Sequence, residues 1–145
     1  MLAAGTGEPQ AARRWEYSAP GGKEFAMAMI LVVDDEPLIR WAVREGLELE
    51  GYAVVEAGSA REALASLEGV TIDVALLDLK LPDSDDLSLL RRIRTSAPEC
   101  RVIMMTAHGT PEILADAMRM GAFGTVAKPF DLGRIVSLVR DAAAA

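Results

Sequence analysis

From residue 29 onward, short apolar runs alternate strictly with amphipathic stretches, and this alternation restricts the chain to very few architectures. The runs are ILVV (30–33), AVVEA (53–57), DVALLD (73–78), RVIMMTA (101–107) and the weaker AFGTVA (122–127). Three of them are apolar on both faces, as strands in the interior of a parallel sheet must be. The intervening stretches predict helices. EPLIRWAVREGLELEG places Leu38, Trp41, Val43, Leu47 and Leu49 near helical spacing and stops at Gly51. SAREALASLEG opens with a capping box from Ser59 to Glu62 and stops at Gly69. DLSLLRRIRTSA, TPEILADAMRMG and DLGRIVSLVRDAA follow the same rule, the second with Pro111 in its first turn and Gly121 after its last. Five strands and five helices in turn predict an α/β fold: a doubly wound, five-stranded parallel sheet with (βα)5 topology. Ligands of such sheets sit at the carboxyl ends of the strands, near the switch point.

The first 28 residues break the pattern, with four Gly, two Pro and no sustained period. They read as a disordered leader or an appended expression tail, with Met27 or Met29 as a native start and Trp15 and Tyr17 as residues that could dock on a neighbouring surface. Acidic and basic residues balance there, so the net charge of −7 belongs to residues 29–145. A domain this acidic carries no footprint for direct nucleic-acid or anionic-membrane binding. No apolar run is long enough to span a bilayer. The single cysteine, Cys100, excludes an intramolecular disulfide and reads as a buried strand residue rather than a reactive thiol. A reducing cytoplasm suits it.

The polar residues at the predicted strand ends are the informative ones. Asp34 and Asp35 close the first strand, Asp78 the third, Thr106 the fourth and Lys128 the fifth, so all five should converge on one rim. Neighbouring carboxylates repel by about 3 kcal/mol at ~5 Å and an effective dielectric of ~20. A positive charge is therefore required. Three carboxylates make a hard-oxygen site that takes Mg²⁺. Asp34 or Asp35 also suits the cap of the helix starting at Pro37, and one Asp can cap while the other binds metal. A carboxylate such as Asp78 beside Mg²⁺ can attack a phosphoryl group and form an acyl phosphate. Lys128 would add charge on the phosphoryl oxygens and the Thr106 hydroxyl a hydrogen bond.

ILVVDDEP, DVALLDLKLPD, VIMMTAHG and GAFGTVAKPFD together resemble, in order and spacing, the signature segments of response-regulator receiver domains. TAHGTPE and KPFDL are most similar to receivers of the nitrogen-regulation type, which precede ATPase and DNA-binding domains. The resemblance covers residues 29–143 and implies a flavodoxin-like fold. It implies Asp78 as phosphoacceptor, Asp35 as a direct Mg²⁺ ligand and Asp34 as one acting largely through water. The Lys80 backbone carbonyl would complete the ligands, with Lys128 binding phosphate before a cis bond to Pro129, and Thr106 serving as switch hydroxyl. Ala107 leaves access to the phosphoryl group. The implied partners are a sensor histidine kinase and a C-terminal output domain outside this chain, with weak homodimer formation and a role in transcription regulation.

Two positions depart from the family pattern. Thr125 stands where a switch aromatic is usual, and Asp86 where Gly is usual. His108, beside the site, reads as a solvent-facing loop residue, and Met104, Met105, Met118 and Met120 as core and packing surface. An aspartate-dependent phosphatase or phosphotransferase is the alternative, but such phosphatases of the haloacid type want a second Asp where Lys80 stands. A degenerate receiver that only docks is the other alternative, kept open by Thr125. The turn DDEP, with no Gly-rich loop, argues against a dinucleotide-binding domain.

Overall fold

The computed structural model describes residues 15–18 and 24–145, with side chains from residue 28 onward. Within the stretch read as a leader, β1 (Trp15–Ser18) pairs antiparallel with β2 (Glu24–Met27), a ribbon that hydropathy alone did not reveal. The rest of that reading falls on residues 1–14 and 19–23, and the Trp15 and Tyr17 side chains likewise lie outside the described residues.

The main sheet comprises β3 (Met29–Val33), β4 (Ala53–Ala57), β5 (Val74–Asp78), β6 (Arg101–Thr106) and β7 (Gly124–Ala127), all parallel. The helices are α1 (Pro37–Leu49), α2 (Ala60–Gly69), α3 (Ser88–Ser96), α4 (Pro111–Arg119) and α5 (Leu132–Ala144). Strand order is β4-β3-β5-β6-β7, so the chain reverses its direction of travel between β3 and β5. This is the doubly wound (βα)5, flavodoxin-like arrangement, and its switch-point crevice opens at the carboxyl ends of β3 and β5.

Every residue of β3 and β5 is buried, because helices cover both sheet faces. Ile30, Val32, Leu76, Ile103 and Met105 meet Val43 and Leu47 of α1 and Ile135 and Val139 of α5. Leu31, Val33, Leu77 and Met104 meet Ala63 of α2, Leu90 and Ile93 of α3 and Ala117 of α4. Each fully buried Leu or Ile contributes about 1.5–3 kcal/mol.

α1 corrects one expectation. Val43 and Leu47, with half-buried Ile39 four residues earlier, form the stripe on the core. Leu38, Trp41 and Leu49 face outward, at 80%, 59% and 86% exposure. Apolar character could not separate the two adjoining stripes. Closeness to α5 decides between them, since a Cβ on Gly46 would lie 2.9 Å from Leu132.

The helix ends largely follow their signals. Gly51 (φ 96°) and Gly121 (φ 105°) adopt the left-handed backbone that glycine takes without steric cost. Gly69 instead remains the last residue of α2. Ser59 Oγ accepts the Glu62 N–H at 3.1 Å, whereas the Glu62 carboxylate reaches past the cap to the Gly58 N–H at 2.7 Å. Thr110 and Asp131 cap α4 and α5. Cys100 is buried in the turn just before β6, and burial, with a smaller push from Asp73, moves its thiol up to about 12. Met104 and Met105 are core, while Met118 is exposed. Among the described residues no helix is long and apolar enough to cross a membrane.

Candidate functional site

Strand register builds the rim. Val33 pairs with Leu77, so Asp34 and Asp78 emerge at the same level on neighbouring strands. Asp78 pairs with Met105, and Thr106 with Ala127, which brings the start of the β7–α5 loop alongside. The Lys128 N–H donates to the Thr106 carbonyl at 3.0 Å and carries the lysine to the rim. The Lys128–Pro129 peptide is cis, as the resemblance implied.

Asp34, Asp78 and Thr106 are the buried polar side chains of the described residues, and they meet here. Lys128 Nζ donates to Asp34 Oδ2 at 2.6 Å and to Asp78 Oδ2 at 2.9 Å. Glu36 Oε1 lies 3.6 Å from the same nitrogen. The positive charge demanded by the acidic pair is therefore present within the chain itself. The remaining oxygens are tied to backbone: Asp34 Oδ1 accepts the Glu36 N–H at 2.9 Å, and Asp78 Oδ1 the Lys80 N–H at 3.2 Å. Asp34 thus closes a local turn just ahead of α1, whose own N-cap is Glu36 without a side-chain cap. Asp35 is exposed.

Burial acts to lower the Lys128 pKa, but the hydrogen bonds and charges of Asp34 and Asp78 together outweigh it, and the net shift is upward. Lys128 stays an ammonium throughout the neutral range.

One carboxylate oxygen each from Asp34, Asp35 and Asp78 lies within 4.8 Å of the others. Ligand oxygens around octahedral Mg²⁺ sit about 3 Å apart when adjacent and about 4 Å apart when opposite. A slight closing of the three side chains meets that spacing, and the donor set is all hard oxygen, so the residues fit the ion.

The Thr106 hydroxyl accepts the His108 N–H at 3.0 Å, while the His108 side chain is exposed. Thr125 is half-buried on β7, level with Met104. Three contacts escaped sequence reasoning. Both Asp83 oxygens accept backbone N–H groups at the start of α2, from Ala60 at 2.8 Å and Arg61 at 3.0 Å. Those bonds hold the Asp83 carboxyl below its ordinary range. A Cβ on Gly109 would lie 2.9 Å from Leu114 and 3.0 Å from the Thr106 methyl. Arg40 donates to the Asp34 carbonyl at 2.5 Å.

The family model described as "Response regulator receiver domain" matches residues 30–140. The chain belongs to the response-regulator receiver family. The receiver is 38% identical over 114 residues to the DNA-binding transcriptional regulator NtrC of Salmonella typhimurium, covering 79% of this chain and 24% of that protein. It spans about a quarter of the length of the curated relatives it matches. Among solved structures it superposes on a receiver domain protein from Methanospirillum hungatei with TM-score 0.79 at 30% identity, covering 82% and 95% of the two chains. On the beryllofluoride-activated NtrC4 receiver domain dimer the TM-score is 0.77 at 32% identity, covering 81% and 98%. The kinship with nitrogen-regulation receivers read from TAHGTPE and KPFDL is borne out. As a receiver the chain is a phosphoacceptor module, and its acidic cluster is consistent with that role.

Proposed function

We propose that Asp78 takes a phosphoryl group from a sensor histidine kinase in the cytoplasm, that Mg²⁺ assists, and that residues 29–145 form the receiver while residues 1–28 lie outside it. The observation that carries this reading is the ammonium of Lys128 shared between two buried carboxylates at the switch point. An Asp78 oxygen attacks phosphorus. An O–P bond forms as the bond from phosphorus to the donor's leaving atom breaks, and the electron pair departs with the leaving group. Bound by Asp34, Asp35, Asp78 and the Lys80 carbonyl, Mg²⁺ would neutralise charge on the phosphoryl oxygens. Lys128 supplies charge from the other side by turning from the carboxylates to a phosphoryl oxygen. Because Thr106 Oγ1 accepts from His108, its own proton is left to donate to another. The relatives' names support an output domain in transcription regulation beyond this segment. Incubation with acetyl phosphate and Mg²⁺ should add one phosphoryl mass to the parent and none to Asp78→Asn. Labelling that survives in Asp78→Asn would place the chemistry elsewhere.

The switch is routed through α4. Thr125 is too small to fill space vacated by a moving Thr106, whereas Gly109 lies close to both the Thr106 methyl and Leu114 of α4. The phosphate mimic beryllofluoride should therefore shift amide resonances of residues 106–120 more than those of residues 122–130, with at most weak dimerisation in sedimentation. Tight dimerisation with shifts centred on β7 would overturn this route.

A further inference from the structure

We infer that Arg40 is a positioning residue of the phosphoryl-transfer site, acting through the peptide that joins the two acidic residues. This rests on the reading of Asp34 and Asp35 as metal-site residues. Arg40 Nη1 donates to the Asp34 carbonyl at 2.5 Å, and that carbonyl belongs to the planar peptide between Asp34 and Asp35. Fixing its direction fixes the rotation on either side of the plane. It thereby sets the angle at which the two carboxylates leave the chain.

The same residue is held from behind. Arg40 Nε donates to Glu56 Oε1 at 3.1 Å, and the other Glu56 oxygen accepts from Arg44 Nη1 at 2.7 Å. Glu56 lies on β4 opposite Val32, two residues before Asp34. On its other side the Asp34 N–H donates to the Ala57 carbonyl at 3.1 Å. Both backbone groups of Asp34 are therefore anchored, one to β4 directly and one through Arg40. Gly58 leaves room for the guanidinium, since a Cβ there would stand 3.1 Å from Arg40 Nη1. The rigid fork of arginine makes both contacts at once, which the single ammonium of lysine does less well.

Position and charge predict opposite signs, which makes the inference testable. If Arg40 acted only as a nearby cation, its removal would tighten Mg²⁺ binding by relieving repulsion. As a positioning residue, its removal should loosen binding by about tenfold, as loss of an outer partner of a metal ligand does. The experiment measures Mg²⁺ affinity from the rise in unfolding temperature for the parent, Arg40→Met, Arg40→Lys and Arg44→Met. It also compares amide spectra of the metal-free proteins. Arg44 shares Glu56 but does not touch Asp34, so Arg44→Met reports the loss of the ion pair alone. Arg40→Met should bind Mg²⁺ about tenfold more weakly and move the Asp35 and Glu36 amides before any metal is added. Arg40→Lys should fall between, and Arg44→Met should match the parent in both. Should Arg40→Met fail to fold, Glu56→Gln, which slackens one anchor, should weaken Mg²⁺ binding in the same direction and to a smaller degree. Unchanged or tighter binding in Arg40→Met, or an equal loss in Arg44→Met, would overturn the inference while leaving the site reading intact. A parent that binds no Mg²⁺ would overturn both.

Discussion

At the amino end of the sheet the Asp73 carboxylate accepts the Met29 N–H at 2.7 Å, while its backbone bonds Met29 and Arg101 on the two neighbouring strands. At the carboxyl end Asp34 and Asp78 face each other across a single shared ammonium. One end uses an acid to fasten strands. The other concentrates acids where a strand-fastening role is already met by backbone. The difference teaches that a carboxylate's place on a sheet does not fix its role; what matters is whether its partners include a movable side chain. Fixed amides add stability at both ends, and a lysine that can turn adds chemistry at one.

Three substitutions probe this contrast. The largest effect should come from Lys128→Met in metal-free protein, because it leaves two buried carboxylates without their cation. We expect a loss on the order of 3–5 kcal/mol in urea unfolding, partly restored by Mg²⁺ through mass action. The Lys128 pKa is raised in the fold, so its contribution is complete below the ordinary lysine value of 10.5 and is lost as pH rises through the higher folded value. The gap between parent and variant should hold across neutral pH and close only in strong alkali; closure near neutrality would contradict the arrangement. Asp73→Ala should cost about 1–3 kcal/mol as a backbone donor loses a charged acceptor, with phosphoryl uptake and Mg²⁺ response kept. An altered Mg²⁺ response would erase the distinction between the two ends. The smallest change should follow Asp35→Ala, which relieves repulsion in the exposed member of the acidic cluster. Its metal-free melting point should rise by about 2–6 °C, roughly the shift that 1 kcal/mol gives a domain of this size. Added Mg²⁺ should then raise it less than it raises the parent, and an equal rise would remove Asp35 from the metal site.

The sheet was legible because strands buried on both faces cannot hide their composition: VALLD announces β5 without help from the rest of the chain. The rim followed, since strand ends in a doubly wound sheet fall on one side. What stayed hidden depends on distances between elements. Leu38 and Leu47 carry the same side chain on the same helix, yet only packing against α5 decides that Leu47 is covered. Arg40 reads as an ordinary surface cation because its partners are a carbonyl six residues back and a glutamate on another strand. The β1–β2 ribbon, WEYS and EFAM, lacks the continuous apolar run that reveals strands such as MILVV and VALLD.

The Asp83 clasp carries a consequence for timing. By holding two amides of α2 from the loop that follows β5, it joins segments more than twenty residues apart into one unit that opens together. The Lys80 segment beside the phosphoacceptor is thereby tied, three residues on, to the start of α2. Opening of that loop should therefore be coupled to fraying of a helix end that lies outside the chemistry.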